Sequence, residues 1–178
     1  MTKQSIRSLP HGDLFKWGFY YGLIMGLVAF AGWYVTLLMP EKSLSRSLVS
    51  MAVYLVEFFL VYWAVKKYKL FHKEFTFLHG LVLSLYIGLI SGLILAGNIL
   101  LYYYVINPPA LEAWFRDRQA ALEKDLADDP VQVTKIMDFT RSFYTYLILF
   151  GSIAGQLFIG LLSGLSSSFI LKDQEIKA

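Results

Sequence analysis

Between Trp17 and Met39 the chain carries no charged residue. As a helix those 23 positions exceed the about 20 needed to cross a hydrocarbon core. Three further runs share this character. Ser47 to Val65 is interrupted only by Glu57, Phe75 to Val105 holds no Asp, Glu, Lys or Arg, and Phe143 to Leu171 lies between Arg141 and Lys172. Charged residues make up 16% of the chain and hydrophobic ones 57%, against roughly 25% charged in an ordinary soluble domain. That leaves too little polar surface to cover the apolar runs in water. Helices satisfy their own backbone hydrogen bonds, as lipid requires. The sequence therefore predicts an all-α membrane protein. A single domain over residues 1–178 has four transmembrane helices, at about 17–39, 47–65, 75–105 and 143–171.

Pro40 ends the first run, since proline cannot continue a helix. The third, at ~1.5 Å per residue, would measure about 45 Å and must tilt or project. The first run is too long for a signal-peptide core and no small-residue cleavage site follows it, so it reads as a retained span. Trp17, Trp33, Tyr34, Tyr62, Trp63 and the Tyr102-Tyr103-Tyr104 triplet fall near the expected interfaces. Basic residues set the orientation. Lys3, Arg7 and Lys16 precede the first span. Lys66, Lys67, Lys69 and Lys73 fill the second loop, and Lys172 and Lys177 follow the last span. The first loop has only Lys42 and Arg46, beside Glu41. Both termini and the second loop are therefore expected in the cytoplasm, with the first and third loops facing outward.

The third loop, 107–142, is too long and too patterned for a simple connection. Asn107 can cap a helix starting at Pro108, and Asp129-Pro130 repeats that start signal. Leu111, Trp114, Phe115, Leu122 and Leu126 recur at helical spacing, then Val133, Ile136, Met137 and Thr140. Two amphipathic helices outside the membrane are expected, as a hairpin or as a long extension of the third and fourth spans. The loop's five basic and seven acidic residues argue against anionic lipid as its resting place.

Small residues recur every fourth position: Gly18, Gly22 and Gly26 in the first span, and Gly80, Ser84, Gly88, Gly92 and Ala96 in the third. The fourth span has Gly151 and Gly155, then Gly160, Gly164 and Ser168. Such faces let helix backbones approach closely in lipid. The expected role is packing within one bundle, with homodimerisation through the first or third helix as the alternative.

Chemistry-bearing motifs are scarce. There is no cysteine, and no zinc-protease, phosphate-loop, nucleophile-elbow or dinucleotide motif occurs. His11, His72 and His79 lack ligand spacing, so neither metal nor cofactor is expected. The hydroxyls of Ser163, Ser166, Ser167 and Ser168 are expected to bond backbone carbonyls one turn back. Basic residues flank the spans and form no long basic face, so nucleic acid is not an expected partner.

Glu57 stands apart. It lies near the middle of the second span, where a charge costs ~3 kcal/mol on insertion scales. Such a residue normally turns inward and is partnered. Gln156 lies at matching depth in the fourth span. Ser91 and Tyr86 on the third span, and Thr36 or Tyr34 on the first, are weaker candidates, and Asn98 could line the same cavity or merely bond a neighbouring helix. Two readings remain: a neutral carboxyl pinned to Gln156, or an ionisable one facing a wet cavity as a proton or cation site.

The segment INPPALEAWF, the acidic amphipathic stretch after it and the GLLSGLSSSFILK ending resemble the bacterial membrane family catalogued as domain of unknown function 4199. The Trp17-Gly18 entry, the Lys67-Tyr68-Lys69 turn and the Phe75 entry are similar too, so the resemblance runs from about Leu14 to Lys172. Pro109 and Ala110 depart from the acidic residue and phenylalanine common in that family. The resemblance implies a four-span inner-membrane protein and carries no functional residue over. The expected function is that of a non-enzymatic packing or accessory subunit, associating with itself or a larger membrane complex in contact with lipid. A small proton- or cation-coupled transporter or channel component using Glu57 is the alternative.

Overall fold

The computed structural model describes residues 11–40, 43–72, 75–127 and 129–172. Lys3, Arg7, Glu41, Lys42, Lys73, Glu74, Asp128 and Lys177 lie outside the described residues, as do the side chains of His11 and Lys172. Among the described residues five α-helices follow one another: α1 (His11–Leu37), α2 (Leu44–Phe71), α3 (Phe77–Leu101), α4 (Pro108–Asp125) and α5 (Pro130–Lys172). No strand occurs among the described residues. Among the described residues, four segments are long and apolar enough to cross a membrane: Asp13–Leu37, Leu44–Phe71, Phe77–Ile106 and Pro130–Leu171.

The helix ends follow local chemistry. α1 stops at Leu37, shortly before Pro40. Ser43 caps α2, its hydroxyl accepting from Arg46 N–H at 3.2 Å. α2 then continues to Phe71, past the expected end at Val65. Lys66 is exposed and Lys67 only partly covered, so the lysines extend the helix without burying their charge. The KKYKLFHKE stretch is thus helical through Phe71. α3 passes into a single π-helical turn, Tyr102–Ile106.

At α4 the sequence expectation needs correction. Asn107 holds the cap position but makes no side-chain cap bond. A capping oxygen serves the second or third helical N–H. Pro109, at the second position, has none, and the Ala110 N–H donates to the Asn107 backbone carbonyl at 3.0 Å. The Asn107 amide instead donates to the Tyr102 hydroxyl at 3.0 Å. Asp129 does cap, its carboxylate accepting from Gln132 N–H at 3.0 Å. The second arm of the expected hairpin is no separate helix. It is the first part of α5, whose 43 residues run unbroken because no proline follows Pro130.

The chain forms two compact units: residues up to Leu95 with those from Ile153 onward, and Ala96–Ser152. In the second unit Leu111, Phe115, Val133, Met137 and Tyr144 are buried. The Tyr144 ring lies 5.0 Å from Trp114 and 5.1 Å from Phe115. Arg141 sits over the Phe115 ring at 5.0 Å and 3.8 Å from Glu112.

The first unit is held by close helix contacts at glycines. A Cβ on Gly22 would lie 2.6 Å from the Ile90 Cβ, and one on Gly26 would lie 2.8 Å from the Ile94 Cβ. Gly18 faces the Tyr86 ring, so the α1 glycines seat α3. A Cβ on Gly88 would meet the Gln156 carbonyl oxygen at 2.5 Å, and one on Gly160 the Ser84 carbonyl at 2.6 Å. Gly164 packs on the Ser84 side chain, and Gly80 on Ser168. Gly92 is buried on α3. Around this seam Met25, Val61, Val65, Leu83 and Ile87 are sealed from solvent.

Candidate functional site

Glu57 is 0% exposed on α2. It shares a helix face with Val61, Ala64 and Tyr68, spaced by three or four residues and all buried. The Gln156 side-chain amide on α5 donates to Glu57 Oε1 at 3.2 Å. The Ser91 hydroxyl on α3 donates to Gln156 Oε1 at 3.0 Å. One carboxyl, one amide and one hydroxyl therefore tie three helices together, all in the first unit. Interhelical hydrogen bonds in membrane proteins average about 0.6 kcal/mol each. Gly88 brings the α3 backbone against the Gln156 carbonyl, which is what brings Ser91 within reach.

The arrangement leaves one position open. Glu57 Oε2 is buried with no hydrogen-bond partner among the described residues. Leaving a buried polar atom unmet costs about 1–3 kcal/mol. Oε2 can accept one more donor, carry a proton, or contribute an oxygen to a small cation.

Ser91, one of the weaker candidates, thus joins the group. The Tyr86 ring packs edge-on against Phe15 at 4.9 Å. Thr36 donates to the Trp33 carbonyl at 2.7 Å, and Tyr34 is exposed. Asn98 is half-buried on α3 in the second unit. His72 Nδ1 lies 2.9 Å from the Tyr68 carbonyl, and His79 Nδ1 lies 2.8 Å from the Thr76 hydroxyl. No three His, Asp or Glu residues gather among the described residues.

Sequence reasoning did not connect two buried serines with the Glu57 group. Ser84 and Ser163 are fully buried, each seven residues from a member of the Glu57 group: Ser91 on α3 and Gln156 on α5. Seven residues is two helical turns, so that spacing was a usable signal. The serine expectation holds for Ser166 and Ser167, which donate to the carbonyls of Leu162 and Ser163 at 2.9 and 2.7 Å. It does not hold for Ser163 and Ser168, whose hydroxyls have no partner among the described residues. Lys69, counted as a loop charge, is 9% exposed and donates to the Leu171 carbonyl in the last turn of α5. A cation there also complements the helix dipole.

No curated protein and no solved structure matches the chain. The model of one family does match, over residues 16–173, nearly the whole sequence. The chain therefore belongs to the family described as protein of unknown function (DUF4199).

Proposed function

We propose that this is a non-enzymatic protein of the bacterial inner membrane, with both termini cytoplasmic, that serves as an accessory subunit in contact with itself or a larger membrane complex. The observation that carries this reading is the compact unit Ala96–Ser152. It has its own aromatic core around Tyr144 and displays Arg116, Asp117, Arg118, Glu123 and Lys124 to solvent. A structured, mixed-charge surface outside the lipid suits docking better than a bare connection would. The α1 glycines and Gly88 already seat neighbouring helices within the chain, so association falls to this surface. The test is the size of the protein extracted from its own membrane in mild detergent, for the parent and for Arg116→Glu with Arg118→Glu. The expected result is an assembly larger than one chain that the double variant shrinks. A parent that emerges alone and monomeric defeats the reading.

The unmatched Oε2 of Glu57 favours a second reading, a small proton- or cation-coupled transporter or channel component. Proteoliposome flux decides it. Flux in the parent that Glu57→Gln abolishes supports transport, whereas no flux in either leaves the accessory reading.

A further inference from the structure

At the end of the first unit that holds the start of α1 and the close of α2, the surface carries a groove of about 240 Å³ lined by Lys16, Trp17, Tyr20 and Tyr21. Its floor is aromatic. Trp17 stacks on Tyr21 at 5.7 Å and packs on Phe71 at 5.6 Å. Tyr21 in turn meets Trp63 edge-on at 5.9 Å, and the Lys67 ammonium lies 4.0 Å over that Trp63 ring. Two cations thus flank one aromatic cluster, from α1 and from α2. The neighbouring carboxylate, Asp13, lies 4.0 Å from His72 Nε2.

Below the groove α1 presents a continuous apolar face. Lys16, Tyr20, Leu23 and Leu27 follow at spacings of four, three and four, one helix face, and the last three are 60%, 40% and 51% exposed. A cation at the top, aromatic rings at headgroup depth and an aliphatic track below match a phospholipid part by part. Trp and Tyr prefer this depth, and basic pockets between membrane helices hold anionic headgroups. We propose that the groove is a site for one anionic phospholipid, its phosphate at Lys16, with Lys67 the second cation on the same aromatic cluster, and one acyl chain along Tyr20, Leu23 and Leu27. Charge complementarity commits the site to an anionic headgroup, since a zwitterionic one would set its own ammonium beside Lys16. The site is independent of Glu57 and of the Ala96–Ser152 surface.

The test measures thermal stability in detergent with added phosphatidylglycerol, phosphatidylcholine or inorganic phosphate. The proteins are the parent, Lys16→Gln with Lys67→Gln, and Tyr20→Ala. Native mass spectrometry counts the lipid retained. Phosphatidylglycerol should raise the parent's Tm and leave one lipid bound, while phosphatidylcholine and phosphate do neither. Each lysine removed should weaken binding roughly fivefold. Tyr20→Ala should weaken it with both charges intact. Equal stabilisation by phosphatidylcholine, an equal effect of free phosphate, or undiminished lipid retention in the double lysine variant would each overturn the proposal.

Discussion

Replacing Gly88 with alanine adds one methyl group where a glycine of α3 lies directly against the backbone of α5. Its Cβ would lie 2.5 Å from the Gln156 carbonyl oxygen, 3.1 Å from that carbonyl carbon and 3.2 Å from the Leu157 Cα. All three are backbone atoms, so no rotamer change relieves the clash. Ordinary contact begins at 3.4 Å, so the helices must part by 3.4 − 2.5 = 0.9 Å. That shift moves the residue whose side chain spans Ser91 and Glu57 at 3.0 and 3.2 Å, stretching both bonds toward breaking. Overpacking costs about 1–3 kcal/mol. The two weakened bonds add about 0.6 kcal/mol each, and the better helix propensity of alanine returns up to about 1 kcal/mol. The net expectation is a loss near 2 kcal/mol. Gly155 supplies the control, because a Cβ there meets nothing within 4 Å. Thermal unfolding in detergent should rank Gly155→Ala at or above the parent and Gly88→Ala clearly below it. If the two variants unfold together, the close approach of α3 and α5 is wrong.

Two further predictions concern the second unit. Asp129→Ala removes a cap and should cost about 1 kcal/mol locally, read as faster amide exchange over residues 131–133. Asp129→Ser should largely restore protection, and unchanged exchange in the alanine variant would remove Asp129 as a cap. Glu112→Gln breaks an ion pair whose side chains are 63% and 49% exposed, so it should cost less than about 0.5 kcal/mol and nothing at high salt. A salt-independent loss above about 2 kcal/mol would show that the pair is buried.

The spans were legible because lipid demands long apolar runs, and charge breaks them visibly. The pairing of Glu57 with Gln156 was legible for a related reason: depth along a helix is countable, and few polar residues share one depth. Helix rotation is harder to count. It decides that Ser163 turns inward while Leu162 faces out, which only the two-turn spacing of Ser163 from Gln156 hints at. The end of α2 was misplaced because Lys66 and Lys67 read as loop, although their charge sits on the helix's outer side. The single helix from Pro130 was foreseen only as an alternative to the hairpin, because the run is polar before Phe143 and apolar after it, and a change of solvent does not break a helix. Asn107 failed as a cap because two prolines remove the donors it would serve, a cancellation written in the sequence but easily overlooked.

The central claim about the candidate site is that Glu57 is tied to Gln156 across the α2–α5 interface. A double-mutant cycle of Glu57→Leu and Gln156→Leu, measured by unfolding in detergent, tests it most directly. The structure predicts a coupling of about 0.6–1.7 kcal/mol between the two positions. Single losses that add to the double loss within about 0.3 kcal/mol would contradict it.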